Sequence, residues 1–201
     1  MISRTEAEHR FRLEMNRHHP ITDAEWEQVQ PCFHLLRLSK GAYFLRQGEV
    51  ANQLGFVADG FLRCFHLDEE GNDITTHFIH QKLFAVDHNS FQHHIPSTEN
   101  IIALEDTTLI ILQREKVMEM LQNIPVWTKI QRSSLEEAYE CMRSRSVKFQ
   151  RLTGQERYES FLKESHPHIV QKANLGHIAT YLGLKQETLS RIRKKQVQSS
   201  F

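Results

Sequence analysis

Cysteine is scarce in this sequence, and the three present, Cys32, Cys64 and Cys141, lie far apart with no C-x-x-C pair. That excludes a disulfide framework and a four-cysteine iron–sulfur site, and leaves free thiols as the simplest reading. No apolar run approaches the roughly 18 residues that a membrane span needs. The start, Met1-Ile2-Ser3-Arg4-Thr5-Glu6, lacks the apolar stretch of a signal peptide, so a cytoplasmic protein with no membrane partner is expected. No Ser-His-Asp order, glycine-rich phosphate loop or acid pair suggests catalysis, so neither an enzyme nor a cofactor is expected. Excess charge is also missing, because 25 Lys+Arg balance 25 Asp+Glu. What remains, 201 residues with 39% apolar and 25% charged side chains, suits one large or two small globular domains.

The zero net charge hides an asymmetry. From Met142 to Phe201 there are 12 Lys+Arg against 4 Asp+Glu, a balance of +8, and the preceding residues carry −8. Two modules with different partners are implied, one of them compatible with a polyanion. The texture changes along the chain as well. Residues 1–30 read as helical, with Thr22-Asp23 as an N-cap and first turn. Between Leu36 and Leu112, short β-rich runs alternate with glycine turns: Tyr43–Leu45, Leu54–Ala58, Phe61–Leu67, Ile74–Ile79, Ile101–Leu104 and Thr108–Leu112. This spacing predicts a sandwich or small barrel, with its clearest hairpin across Glu70-Gly71-Asn72. Beyond Arg114 the pattern is helical. A short helix carrying Val117, Met118 and Leu121 ends before Pro125. A long one then runs from Val126 to about Val147, with Trp127, Ile130, Ser134, Ala138 and Cys141 on one stripe. Two partners suit that stripe, the chain's own β domain or a two-stranded dimer seam, and spacing does not choose between them. Thr153-Gly154-Gln155-Glu156 resembles a capping box for a helix to Glu164, ended by His166-Pro167.

The sharpest signal spans Asn174 to Lys195. Leu175, Ile178, Ala179 and Leu182 make one face of a short helix. Gly183 follows where a turn needs positive φ. Leu184 is the apolar residue at the turn, and Leu189 and Ile192 form the inner face of a second helix. This is the pattern of a helix-turn-helix, with small Ala179 permitting a close crossing. The outward residues Gln186, Glu187, Ser190 and Arg191, with Lys185 at the turn, suit base edges. Glu accepts from cytosine N4, Arg pairs with guanine and Gln prefers adenine. Arg193, Lys194 and Lys195 suit phosphates. Duplex DNA is the expected partner.

Gln186-Glu187-Thr188-Leu189-Ser190-Arg191 resembles the recognition-helix signature of the Crp/Fnr (cyclic-AMP receptor protein-like) regulators, Arg-Glu-Thr-hydrophobic-small-Arg. Ile178 to Leu184 is similar to that family's first helix and turn, and Glu187 to Lys195 to its Bacteroidetes-type branch. Lys40 to Glu49 and Phe56 to Arg63 resemble the opening hairpins of a cyclic-nucleotide-binding domain. The resemblance implies an α+β fold with an N-terminal cyclic-nucleotide-binding-like β-roll (a double-stranded β-helix) over residues 1–125, including an N-terminal helix. A dimerisation helix over 126–147 and a C-terminal winged helix-turn-helix over 148–201 follow. It further implies a homodimeric transcriptional regulator on a near-palindromic operator, with RNA polymerase and a small-molecule effector as further partners. Glu187 and Arg191 match the base-reading pair, and Gln186 departs from the signature's first Arg.

Cyclic-nucleotide sensors of this fold carry Phe-Gly-Glu-Leu and, some ten residues on, Arg-Ser/Thr-Ala. The corresponding residues here are Phe84-Ala85-Val86-Asp87 and Glu99-Asn100. The effector pocket expected at Val86, Asp87, Glu99 and Asn100 is therefore degenerate, and a carboxylate in place of the phosphate-binding Arg would repel a cyclic nucleotide. Thirteen histidines raise an alternative, a metal- or haem-binding β-roll sensor or cupin-like enzyme using the 77–94 region. Against it, His77 and His80 stand three apart in a strand and should point to opposite faces. His88, His93 and His94 fall in an expected loop, and the only His-x-His, at His166-Pro167-His168, lies beyond the β domain. No metal site is expected.

Overall fold

The structure, a computed structural model, describes residues 2–198, with side chains through 196; Met1 and residues 199–201 of the expected C-terminal module lie outside the described residues. Two N-terminal helices open it, α1 (Arg4–His18) and α2 (Asp23–Val29), each started by a hydroxyl cap. Thr22 forms a reciprocal capping box with Glu25, which satisfies two donors that a helix start leaves open.

Eight strands follow: β1 (His34–Leu38), β2 (Tyr43–Leu45), β3 (Gln53–Asp59), β4 (Phe61–Leu67), β5 (Asp73–His80), β6 (Phe84–Ala85), β7 (Asn100–Ala103) and β8 (Thr107–Gln113). They form two antiparallel four-stranded sheets, ordered β1-β8-β3-β6 and β2-β7-β4-β5. A one-turn helix, α3 (His88–His93), lies between β6 and β7. Phe56, Leu109 and Ile111 of the first sheet share a core with Leu62, Ile79 and Ile101 of the second. β1 and β6 are additions to the runs expected from sequence. β6 is only two residues long, too short for alternation to register.

α4 (Arg114–Asn123) leads into α5 (Pro125–Arg151), whose first residue is a proline placed where no helical N–H is required. Phe11 joins the N-terminal helices to this assembly. Its ring lies 5.0 Å from Phe56, 5.1 Å from Phe33 and 6.3 Å from Trp127. Arg17 on α1 also reaches both carboxylate oxygens of Glu137 on α5 at 2.7 Å.

The long helix divides its expected stripe. Trp127 and Ile130 are 5% and 3% exposed and belong to the chain's own core, so they are not available to a second copy. Ser134 is half-buried, while Ala138 and Cys141 are exposed. The stripe continues in the open through Leu135, Tyr139 and Met142, the last two 64% and 67% exposed. The β domain thus covers only the first turns of this helix, and the rest of the stripe is left open.

The C-terminal helices are α6 (Gly154–Glu164), α7 (Pro167–Lys172), α8 (Leu175–Tyr181) and α9 (Gln186–Gln198). Thr153 and Glu156 form the expected capping box. The His166-Pro167-His168 segment, expected to be loop, instead begins α7, with Pro167 in its first turn. Pro stops one helix and suits the N-terminus of the next. Among the described residues no strand follows Gln113, so the wing expected from the resemblance is not among them. Nor is any helix among them long and apolar enough to cross a membrane.

Burial of Trp127 inside one chain makes a direct prediction. Trp127→Ala should lower unfolding stability by about 3–5 kcal/mol. The check is urea unfolding at several protein concentrations. The loss should be the same at each, whereas a residue in a dimer seam would give a concentration-dependent loss.

Candidate nucleic-acid interface

The two expected helices, α8 and α9, and the tight turn between them form as their residues dictate. Asn174 caps α8, and Leu182, Gly183 and Leu184 close the turn through hydrogen bonds to Ile178, Thr180 and Ala179 carbonyls at 2.8–3.0 Å. Gly183 has φ +65°, and a Cβ there would lie 2.8 Å from the Phe149 ring. Both the turn and the close approach of α5 demand glycine. Ala179 and Leu189 are fully buried between the two helices, together with Ile178 and Leu182.

On the other side of α9 the expected reading residues face outward. Lys185, Gln186, Glu187, Arg191, Arg193, Lys194 and Lys195 are exposed, and Ser190 is half-buried. Gln186 bends back towards Gly176 at the start of α8, and Arg191 Nη2 donates to Thr188 Oγ1 at 3.5 Å. A helix presenting two amide or acidic groups at its start and cations further along suits a polyanion whose base edges are read by the first turns.

This unit is docked on the second sheet. β5 is that sheet's edge strand, and Thr180 of α8 accepts a hydrogen bond from the Thr75 backbone N–H at 3.1 Å. The Thr75 hydroxyl lies 3.1 Å from Thr180 Oγ1 and accepts from Arg63 Nη1 at 3.0 Å. Arg63 is itself buried and grips both oxygens of Asp73. Phe61 and Phe78 pack against Tyr158, Phe161 and Ile169, and His168 Nε2 sits 2.6 Å from Glu105 Oε1. Sequence reading missed Arg63 and Thr180. The only hint was a charged residue inside the otherwise apolar run of β4.

The four residues of the expected effector pocket are brought into one region but are already engaged. Asp87 caps α3 through Ser90 N and accepts from Ser97 Oγ at 2.7 Å. Ser97 is also hydrogen-bonded to Glu99, through its N–H at 3.1 Å and its carbonyl at 2.9 Å. Asn100 Oδ1 accepts from Gln47 N, and Val86 packs against the core. The charge here is acidic. Burial raises the Cys64 thiol pKa well above its usual value, and the carboxylates of Glu99 and Asp87 push it further. A cyclic phosphate does not fit such a set, because Glu99-Asn100 stand in place of the expected arginine and the carboxylates of Asp87 and Glu99 would oppose it.

The histidines depart from expectation in two respects: His88 and His93 lie in α3 and not in a loop, and two histidines of β5 share a cavity. His77 and His80 border the same cavity, with His80 stacked on His166 at 4.3 Å. Their register with β4 is regular, the bulge at Thr76 falling before both, so the shared cavity does not come from a change of facing between them. Among the described residues no group of three or more His, Cys, Asp or Glu is placed to hold a metal ion.

Residues 35–124 match the family of cyclic nucleotide-binding domains. The β domain has the fold of a cyclic nucleotide-binding domain. With the helices that follow, this cyclic nucleotide-binding-type domain is similar to several solved regulators. One is the c-di-GMP-responsive global regulator CLP of Xanthomonas campestris, at 13% identity and a TM-score of 0.71, over 89% of this chain and 93% of that one. FixK2 of Bradyrhizobium japonicum gives 18% and 0.69, over 84% of this chain and 86% of that one. A Eubacterium rectale protein described as of the Crp/Fnr family gives 18% and 0.70, over 90% and 88%. No curated protein matches in sequence. At these identities the likeness is one of fold.

His77 sets a pH dependence. Burial, and then the positive charge of Arg145 and His80, lower its pKa from 6.5 to about 4. The folded state therefore resists a proton that the unfolded chain accepts. Stability is full above pH 6.5 and falls as pH drops towards 4, by up to about 3 kcal/mol from this group. His77→Asn should flatten that part of the decline in urea midpoints measured between pH 7 and 4. An unchanged decline would refute the assignment.

Proposed function

We propose that the chain is a DNA-binding transcriptional regulator of the Crp/Fnr type, acting as a cytoplasmic homodimer on a near-palindromic operator. The observation that carries this reading is the outward set Gln186, Glu187 and Arg191 on a helix whose inner face, turn and neighbouring helix are fully committed to packing. Lys185 and Ser190 flank the base-reading groups, and Arg193, Lys194 and Lys195 supply phosphate contacts.

Dimerisation is assigned to the open part of α5, where Leu135, Ala138, Tyr139 and Met142 recur at spacings of three and four and Cys141 lies beside them. An exposed apolar stripe of this kind supports a helix–helix seam, since large exposed apolar patches are costly to leave wet. Two copies joined there would offer two recognition helices to successive major grooves about 34 Å apart. Control by cyclic AMP in the usual mode is not part of the proposal, because Asp87 and Glu99 make the expected pocket acidic. RNA polymerase is the partner through which such a regulator would act, and no catalytic role is assigned.

Binding selected from a random duplex pool tests the base readers. Arg191→Ala should cost about 1–3 kcal/mol on the best site and relax preference at one base pair. Lys194→Ala should weaken binding evenly across sequences and reduce its salt dependence. Equal binding of parent and Arg191→Ala to all sequences would overturn the base-reading role.

A further inference from the structure

A cavity of about 380 Å³ lies where three parts of the molecule meet: the end of β5, the second half of α5, and the α6–α8 unit. Its lining residues are other than those around Asp87 and mainly of the opposite charge, although the field of Glu99 reaches Arg145. Arg145 reaches into the wall with Nη2 on the Tyr181 carbonyl at 2.9 Å and Nη1 on the Thr76 carbonyl, and no carboxylate lies within ion-pair distance among the described residues. Its guanidinium stacks 4.0 Å from the Tyr181 ring. Arg157 lies 4.7 Å over the Phe149 ring, and its buried Nε has no hydrogen-bond partner. Lys148 is paired with Glu164, the only carboxylate among the lining residues.

Both arginines are half-buried with no carboxylate paired to them among the described residues, and the unmade hydrogen bond at the buried Arg157 Nε is costly. An anion entering from solvent would supply both the charge and the acceptor. Much of the rest of the wall is aromatic, with Phe78, Phe149, Phe161 and Tyr181 beside the His80–His166 stack. Such a lining favours a flat apolar body, and the volume falls near the lower end of small-molecule sites, roughly 300–1,000 Å³.

We infer that this junction is a binding site for a small aromatic anion, a carboxylate or phosphate monoester on one or two rings, held by Arg145 and Arg157. The ligand would touch the sheet, the long helix and the helix-turn-helix at once. Its binding stands apart from the DNA-binding reading, while any influence on DNA affinity rests on that reading.

Calorimetry and thermal shift on the full chain test the site, with benzoate and phenyl phosphate as probes and benzyl alcohol and inorganic phosphate as controls. At least one aromatic anion should bind saturably, and the preferred one identifies the head group. The neutral ring and the bare ion should bind at least about tenfold more weakly. Arg145 ties two carbonyls, so its removal could unfold the junction; Arg157→Gln is the cleaner variant. It should weaken binding about tenfold or more with unchanged circular dichroism. Ser144→Phe, which fills the cavity and leaves both arginines in place, should abolish binding. No saturable binding by either aromatic anion, or binding that both folded variants retain in full, would overturn the proposal. Loss of DNA binding with anion binding intact would instead count only against the functional reading.

Discussion

Phe61 and Phe78 sit side by side on β4 and β5, with ring centroids 5.7 Å apart, and both are essentially removed from water. The first core, between the two sheets, does not include them; the helices of the C-terminal module cover them instead. This one apolar contact fixes the position of everything that the function is assigned to. It seats α8 against the edge strand, which lets Thr180 accept from the Thr75 backbone and blunts an edge that would otherwise be open to pairing. It leaves α9 outermost, with its reading residues in solvent. It also leaves the cavity at the junction, where side chains of β5, α5 and the C-terminal helices only partly fill the space.

Much of this was legible in the sequence, for identifiable reasons. The two-helix unit was readable because Ala179, Gly183, Leu184 and Leu189 each answer a separate steric demand, and the structure uses each for that demand. The boundaries of α6 were readable from Thr153, Glu156 and Pro167 alone. The strands of the β domain emerged wherever alternation was long enough to see. The illegible parts share a different cause. How far the β domain covers α5 depends on the placement of α1 and Phe11, which no periodicity in α5 encodes, so Trp127 and Ile130 looked like seam residues. The bulge at Thr76 shifts the register of β5 against β4 without any glycine or proline to announce it. The pairing of Arg63 with Asp73 and Thr75 was hidden for the same reason, since it depends on strand register across a hairpin.

The charge arrangement has a physical logic across the whole chain. The β domain carries the acidic excess, and inside it Asp87 and Glu99 gather around Ser97, where a phosphate-binding arginine would be needed for a cyclic nucleotide. The basic excess lies in the second half of α5 and beyond. Part of it, on α9, is exposed and suited to a polymer of phosphates. Another part, Arg145 and Arg157, is turned inward at the junction, where a guanidinium without a carboxylate is poised for a smaller anion. The proposals above thus give two different anionic partners, one at the surface and one within, to a chain whose net charge is zero.

The most direct measurement of the central claim is genomic footprinting with the tagged full chain, read at base-pair resolution. The account predicts protected sites with two-fold sequence symmetry and half-sites one helical turn apart, because two recognition helices joined through α5 must enter successive major grooves. Protection without any shared sequence, or shared sequence without symmetry, would contradict it.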